Sequence, residues 1–216
     1  YGDRDLGQSD AGPMPVLLRA GQGWPKPQDP IAYVSLPTTH PLALATWGRS
    51  TWTPLVEDFN GDGLLDLYLG TAMQWKAEEA AAVSDCKMPL AAFPHTDVLA
   101  LATGAAVTAA TGWQVTELNP QPCGSFGTVA ESAVDIDGDT DLDVVQVTVN
   151  CNKTGKLLIL RNDIAKAGQV ARLRLQGLPG NRQAIGARVT ALAGALPLTK
   201  VVSGQTGPGS MPPQTL

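Results

Sequence analysis

Two short acidic loops, 77 residues apart, constrain the fold of this chain more than any other feature of its sequence. The first reads Asp58-Phe-Asn-Gly-Asp-Gly-Leu-Leu-Asp66 and the second Asp135-Ile-Asp-Gly-Asp-Thr-Asp-Leu-Asp143. Each places oxygen-bearing side chains at positions 1, 3, 5 and 9. Carboxylates crowded in this way repel one another, whereas Ca²⁺ binds six to eight oxygens in a flexible cage. The pattern therefore predicts two calcium sites.

The predicted ligands are four side chains in each loop, plus the residue at position 7. In the first loop they are Asp58, Asn60, Asp62 and Asp66, with the backbone carbonyl of Leu64. In the second loop they are Asp135, Asp137, Asp139 and Asp143, with Asp141 at the carbonyl position. An Asp-rich turn without metal is the alternative for a single loop, but the recurrence of the pattern favours the metal.

One residue distinguishes the two loops. Gly63 follows the third ligand of the first loop, where a tight turn favours a positive φ. Thr140 holds the same position in the second loop, and a β-branched residue is strained at positive φ. We therefore expect a regular first site and a second site that is distorted, or weaker unless Asp141 compensates.

The flanks of the loops exclude an EF-hand, which needs a glutamate at position 12 and a helix on each side. Position 12 is Leu69 in one loop and Gln146 in the other, and the residues that follow both loops favour strands. The pattern also predicts strands before the loops and at later hydrophobic runs. These segments are 54–57, 66–70, 97–102 and 106–115 in the first unit, and 129–134, 143–149 and 156–162 in the second.

This repeating unit resembles the FG-GAP/VCBS family, whose units carry a DxNxDGxxDL loop and a later strand of the type LLxRN. The resemblance implies that each unit is a four-stranded β-propeller blade with calcium pinning one turn. Residues 1–165 would be the tail of one blade, at 15–24, followed by two calcium-loop blades. The loop spacing is long for a blade, and the excess predicts an inserted helix near 74–84. Because a closed propeller needs roughly four to eight blades, we expect a partial one.

The segment Leu-Pro-Gly-Asn-Arg-Gln-Ala-Ile-Gly-Ala-Arg-Val at 178–189 resembles the NRxxIGARV signature of the ASPIC/UnbV domain. That domain typically follows FG-GAP repeats in secreted and bacterial envelope proteins, including relatives of cartilage acidic protein. The resemblance implies that residues 166–216 form a small, truncated β domain, so that the whole chain is all-β.

Within this C-terminal part, we interpret Gly186 as a site of tight backbone packing. Arg172 and Arg174 alternate with leucines, which predicts a half-buried strand at 171–176.

The charge is distributed unevenly along the chain. Residues 1–151 contain 6 Lys and Arg against 19 Asp and Glu, a net charge of −13, whereas residues 152–216 contain 9 against 1, a net charge of +8. The basic C-terminal part is therefore expected to dock on the acidic repeats or to meet an acidic partner. The overall charge of −5, without aromatic residues among the arginines, argues against nucleic-acid binding.

Cysteine usage and calcium both bear on location. Cys86, Cys123 and Cys151 fall in predicted connectors, and no Cys/His spacing indicates zinc. In an oxidising compartment two of them would pair and one would remain, and the sequence leaves the pairing open. Disulfides and millimolar calcium belong outside the cytoplasm, so we expect a periplasmic, cell-surface or secreted protein. No apolar run approaches about 18 residues, so no membrane-spanning helix is expected.

Catalytic constellations are scarce, and we do not expect an enzyme. His40 and His95 are isolated beside prolines, and paired carboxylates occur only inside the acidic loops. The expected function is a calcium-stabilised scaffold for protein–protein interaction or assembly, with a protein partner that could be a larger membrane complex. Two alternatives stay open: the non-catalytic part of a secreted enzyme, or a glycan-binding module with exposed tryptophans. The tryptophans are Trp24, Trp47, Trp52, Trp75 and Trp113.

Overall fold

The computed structural model describes residues 17–19, 33–46, 49–51, 54–73, 96–106, 108–118, 125–150, 154–164, 171, 173–193 and 196–202. The strands in these ranges are β1 Leu17–Arg19, β2 Tyr33–Ser35, β3 Arg49–Thr51, β4 Leu55–Glu57, β5 Asp66–Leu69, β6 Thr71–Met73, β7 Asp97–Ala102, β8 Trp113–Leu118, β9 Ser125–Val134, β10 Asp143–Asn150, β11 Gly155–Leu160, β12 Arg188–Ala193 and β13 Leu196–Val201. The helices there are α1 Pro41–Ala45 and one 3₁₀ turn, Ala110–Gly112.

Strands dominate this part of the chain, which confirms the predicted all-β class. The larger sheets have the strand orders β4-β5-β7-β8 and β11-β10-β9-β6-β3, and the smaller sheets are the pairs β1-β2 and β12-β13. All of these strand pairs are antiparallel. Within the described ranges the sheets do not close into a ring, so the propeller itself stays a prediction.

Each acidic loop joins two antiparallel strands, as the sequence predicted. The first loop connects β4 to β5, with Leu55 paired to Tyr68. The second connects β9 to β10, with Val134 paired to Asp143. The third strand of each unit, β7 or β11, then pairs with the strand that follows the loop. The two units therefore share one local topology.

Two hydrophobic clusters hold the sheets. One lies under α1 and includes Leu42, Val98 and Trp113. The other joins both large sheets, because Tyr68 and Leu99 of the four-stranded sheet share it with Val144 of the five-stranded sheet. Burying each such side chain contributes about 1.5–3 kcal/mol. The two loops therefore extend from sheets that share this second cluster as a common core.

The helix α1 was not predicted, although its local signals are present. His40 is the N-cap, and its Nδ1 accepts a hydrogen bond from the backbone N–H of Leu42 at 3.2 Å. Pro41 occupies the first turn, where its missing N–H costs nothing and its fixed φ suits the helix. His40 is 2% exposed, so its role in this structure is to cap the helix.

The strand predicted at 106–115 is wrong in position. The chain makes a 3₁₀ turn at Ala110–Gly112, and β8 begins only at Trp113 and runs to Leu118. The register explains the shift, because Trp113 pairs with Ala102 at the end of β7 and Leu118 pairs with Asp97 at its start. Long-range pairing thus overrode the local alanine-rich pattern.

Two expectations for the C-terminal part are also corrected. Of residues 171–176, the described ones form no continuous strand, and Leu173 is 43% exposed. Gly186 does not serve close packing, because a Cβ added there would meet no atom within 4 Å. Its φ of 86° is the conformation that favours glycine.

Several predictions concern residues that the structure does not describe. They include the inserted helix near 74–84, most of the segment 15–24, His95, Arg172 and the three cysteines. These remain predictions from sequence.

Candidate metal centres

The first acidic loop is folded by its own side chains. Asp58 accepts hydrogen bonds from the backbone N–H of Asp62 at 3.1 Å and from that of Gly63 at 2.9 Å. Asn60 Oδ1 accepts from the N–H of Asp62 at 3.0 Å, and Asp62 Oδ1 accepts from the N–H of Leu64 at 2.8 Å. The side chains at positions 1, 3 and 5 are thus all turned back onto the loop.

The second loop repeats three of these four bonds, and in the fourth the donor to position 1 is the N–H of position 4 instead of position 5. Asp135 accepts from the N–H of Gly138 at 2.7 Å and from that of Thr140 at 3.2 Å. Asp137 Oδ1 accepts from the N–H of Asp139 at 3.3 Å, and Asp139 Oδ1 accepts from the N–H of Asp141 at 3.1 Å. The sequence repeat is therefore also a repeat of local structure.

The second loop is the looser of the two. Three equivalent hydrogen bonds are longer in the second loop than in the first. The bond from the N–H of position 6 to the carboxylate of position 1 is 2.9 Å in the first loop and 3.2 Å in the second. The bond from position 5 to position 3 is 3.0 and 3.3 Å, and the bond from position 7 to position 5 is 2.8 and 3.1 Å. Thr140 has a φ of 79° where Gly63 has 86°, a conformation that costs a non-glycine residue about 1–3 kcal/mol. The strained β-branched residue is therefore present as expected, and the weaker affinity stays a prediction.

The carboxylate at position 9 of the first loop ties the loop to two strands. Asp66 is fully buried at the start of β5. Its Oδ2 accepts from the N–H of Phe59 at 2.9 Å, and its Oδ1 accepts from the N–H of Ala102 at 2.8 Å. Burial raises the pKa of Asp66, while these two bonds lower it and the nearby charges of Asp62 and Asp58 raise it again. A bound cation would offset that repulsion.

Asp143 has the same place in the second loop and is 1% exposed. Its Oδ2 accepts from the N–H of Ile136 at 2.9 Å, and its Oδ1 accepts from the N–H of Asn162 at 2.8 Å. Each carboxylate oxygen retains acceptor capacity beyond one hydrogen bond. These bonds orient the carboxylate without using up its oxygens.

The second loop gathers enough oxygens to hold a metal ion. One carboxylate oxygen from each of Asp135, Asp137 and Asp143 lies within 4.8 Å of the others, and Asp137, Asp139 and Asp141 form an overlapping group. A donor set made entirely of oxygen suits a hard cation such as Ca²⁺. The three aspartates of the first loop, all of them described, do not form such a group by themselves, and the donor at its position 3 is the side-chain oxygen of Asn60. The residues present thus fit calcium by chemistry in both loops and by convergence in the second.

Two contributors to the loops were not assigned a role from sequence. Phe59, at position 2, is 3% exposed and packs in the cluster shared by both sheets, with its ring centroid 6.4 Å from that of Tyr68. Asn162 contacts both loops through one side chain. The first role had a local signal from which no prediction was drawn, an apolar residue inside an acidic motif. The second depends on contacts between distant segments, which no local pattern shows.

A buried polar network lies between the large sheets, away from the loops. The hydroxyl of Tyr68 lies 3.1 Å from Asp97 Oδ2 and 2.6 Å from Gln146 Oε1, while Gln146 Nε2 donates to Asp97 Oδ2 at 2.8 Å. Asp97 Oδ1 accepts from the N–H of Thr71 and from the hydroxyl of Thr128. Burial, and next the charge of Asp97, raise the pKa of Tyr68 above its usual range. This network fixes how one sheet sits on the other.

The structure bears in part on two other predictions, the docking of the basic C-terminal part and the glycan platform of tryptophans. Lys200 of β13 pairs with Glu57 of β4, which is one contact of the kind expected between the basic and acidic parts of the chain. Trp113 is 7% exposed and belongs to the core, so it cannot form part of a glycan platform. The other four tryptophans lie outside the described residues.

No protein-family model, curated protein or solved structure matches this chain. The resemblance to FG-GAP and ASPIC/UnbV proteins therefore depends on the sequence motifs alone. In the described part of the chain, no helix is long and apolar enough to cross a membrane.

Proposed function

We propose that this chain is a calcium-stabilised, extracytoplasmic β scaffold that serves protein–protein interaction or assembly. One observation carries the proposal: two loops in neighbouring sheets share three equivalent hydrogen bonds, and each ends on a buried aspartate at a strand start. Aspartates in one ordinary turn do not require such repetition. A cation bound in the same way at both loops accounts for it.

The ion would act by joining loop oxygens to the strand that follows. Asp66 and Asp143 each open a strand, so a cation bound to them and to earlier positions of the loop would fix the strand ends. A ligand that binds only the folded state stabilises it by about 2.7 kcal/mol at a hundred times its dissociation constant. Extracellular calcium modules typically have dissociation constants of about 10⁻⁴–10⁻³ M, and sites of that strength would fill at the millimolar calcium found outside the cytoplasm.

An exposed edge supports the interaction role. In the described sheet β11 is a terminal strand, and its Leu157 and Ile159 are 65% and 56% exposed. Unpaired strand edges with apolar side chains favour association with another chain. An accessory subunit on the outer face of a larger membrane complex is one form that this function could take.

Thermal melting in CaCl₂, in MgCl₂ and in EGTA tests the proposal. We expect melting to be highest in calcium, and removing a ligand by Asp139→Ala should lower the calcium effect. The matched control is Glu117→Gln, which removes an exposed carboxylate outside the loops and should leave the calcium effect intact. Identical melting in calcium and EGTA would overturn the proposal.

A further inference from the structure

Asn162 follows β11 and touches both acidic loops with one side chain. Its Nδ2 donates to the carbonyl oxygen of Phe59 at 2.8 Å and to that of Leu142 at 3.3 Å. Phe59 stands between the first two predicted ligands of the first loop, and Leu142 stands beside Asp143 in the second. We propose that Asn162 is a positioning residue that couples the loops, so that filling one calcium site favours filling the other. This inference rests on the calcium binding proposed above.

The remaining hydrogen bonds of Asn162 keep its amide in place. Its Oδ1 accepts from the backbone N–H of Ile164 at 3.0 Å, which orients the amide, and its own backbone N–H donates to Asp143 Oδ1 at 2.8 Å. The residue is half-buried. It therefore holds a carboxylate of the second loop and a carbonyl of the first at the same time, and a shift of either loop disturbs both contacts.

The first unit provides an internal comparison. The N–H of Ala102 donates to Asp66 Oδ1 at 2.8 Å, just as the N–H of Asn162 donates to Asp143 Oδ1 at 2.8 Å. The backbone contact is therefore common to both units, whereas Ala102 has no side-chain amide with which to reach a second loop. A substitution of the Asn162 side chain thus removes the bridge and preserves the backbone contact.

The core beneath the loops provides a continuous physical link between them. Phe59 shares a cluster with Val144, the residue after Asp143, and Leu142 and Ile164 pack against the same cluster. A cavity of about 320 Å³ borders these side chains and Asn162. The loops are therefore neighbours on one core, and the side-chain amide of Asn162 is a polar connection between their backbones.

Calorimetric titration with CaCl₂ measures the coupling. Asp62→Ala removes the first site, and the affinity of the second site is then compared with and without the first. Coupled sites typically change one another's affinity by factors from about 5 upward, so we expect Asp62→Ala to weaken the remaining site by about 5–10-fold. In the background of Asn162→Leu, which is similar in size and uncharged, the same substitution should leave the affinity of the remaining site unchanged.

The control is Asn181→Leu. The amide of Asn181 also donates to a backbone carbonyl, that of Ile185 at 2.8 Å, but outside the loops, so this variant should retain the coupling. If Asn162→Leu does not fold by circular dichroism, Asn162→Ala replaces it, since alanine has the equivalent place in the first unit, at Ala102, and adds no charge beside the loops. Two ions bound with coupling unchanged by either variant would overturn the inference alone. No binding by the unsubstituted chain would overturn the proposed function with it.

Discussion

Glu131, at an inward-facing position of β9, provides the sharpest prediction about stability. It is 2% exposed, and its Oε1 accepts from the backbone N–H of Gly70 at 3.2 Å. Its Oε2 has no hydrogen-bond partner within the described residues. Burial, with a further contribution from the charge of Asp97, raises the pKa of Glu131 to about 9. The folded protein therefore favours the protonated carboxyl at neutral pH.

The sign and size of the effect follow from linkage. The pKa is raised on folding from 4.5 to about 9, so the stabilisation is complete below pH 4.5 and is lost as the pH rises toward 9. Each pH unit in this window corresponds to about 1.4 kcal/mol. Between pH 5.5 and pH 7.5, Glu131 should therefore cost the folded state roughly 3 kcal/mol.

Urea denaturation of the wild type and of Glu131→Gln measures this effect. The variant keeps an acceptor for Gly70 and cannot ionise, so its advantage over the wild type should grow by roughly 3 kcal/mol across that window. All other groups titrate in both proteins, and both proteins are stripped of metal and kept in calcium-free buffer to exclude metal effects. Glu117→Gln, at an exposed position of β8, should show no such trend. A difference between Glu131→Gln and wild type that is constant from pH 5.5 to 8.5 would refute the reasoning.

Two further substitutions follow from the described contacts. Thr140→Gly removes a β-branched residue at a φ of 79°, so it should stabilise the protein by up to about 1 kcal/mol and strengthen calcium binding. Gly63→Thr should have the opposite effects. Calorimetry in which neither substitution changes the calcium affinity would contradict this. Tyr68→Phe removes a hydroxyl at 2.6 Å from Gln146 Oε1 in a buried network, which should destabilise by about 1–3 kcal/mol; a urea midpoint equal to that of the wild type would show that the network contributes nothing.

The acidic loops and the strands around them could be predicted because their determinants are local. Ligand spacing, glycine placement and the strand-favouring residues that follow each loop (Leu and Tyr in one case, Val and Thr in the other) lie within about a dozen residues of chain. The backbone strain at Thr140 could also be predicted, because this β-branched residue occupies the position that Gly63 has in the first loop. Local sequence therefore specified these two hairpins.

The missed features depend on contacts between distant segments. The start of β8 is set by pairing with β7, which the alanine-rich run before Trp113 does not encode. The bridge from Asn162 to Phe59 spans 103 residues of chain. The inward orientation of Glu131 had a local signal, because Glu131 lies two residues before Ala133 and therefore shares its face of β9, which is buried. Its charge made burial unexpected.

The number of calcium ions bound per chain tests the central claim most directly. Isothermal titration of the metal-stripped protein with CaCl₂ should give two ions for the wild type, one for Asp62→Ala and one for Asp139→Ala, with the first loop retained in the last variant. A stoichiometry of two that these substitutions reduce one at a time would support the two-site scaffold. Titration that shows no heat of binding at millimolar calcium, together with melting that EGTA does not change, would contradict it.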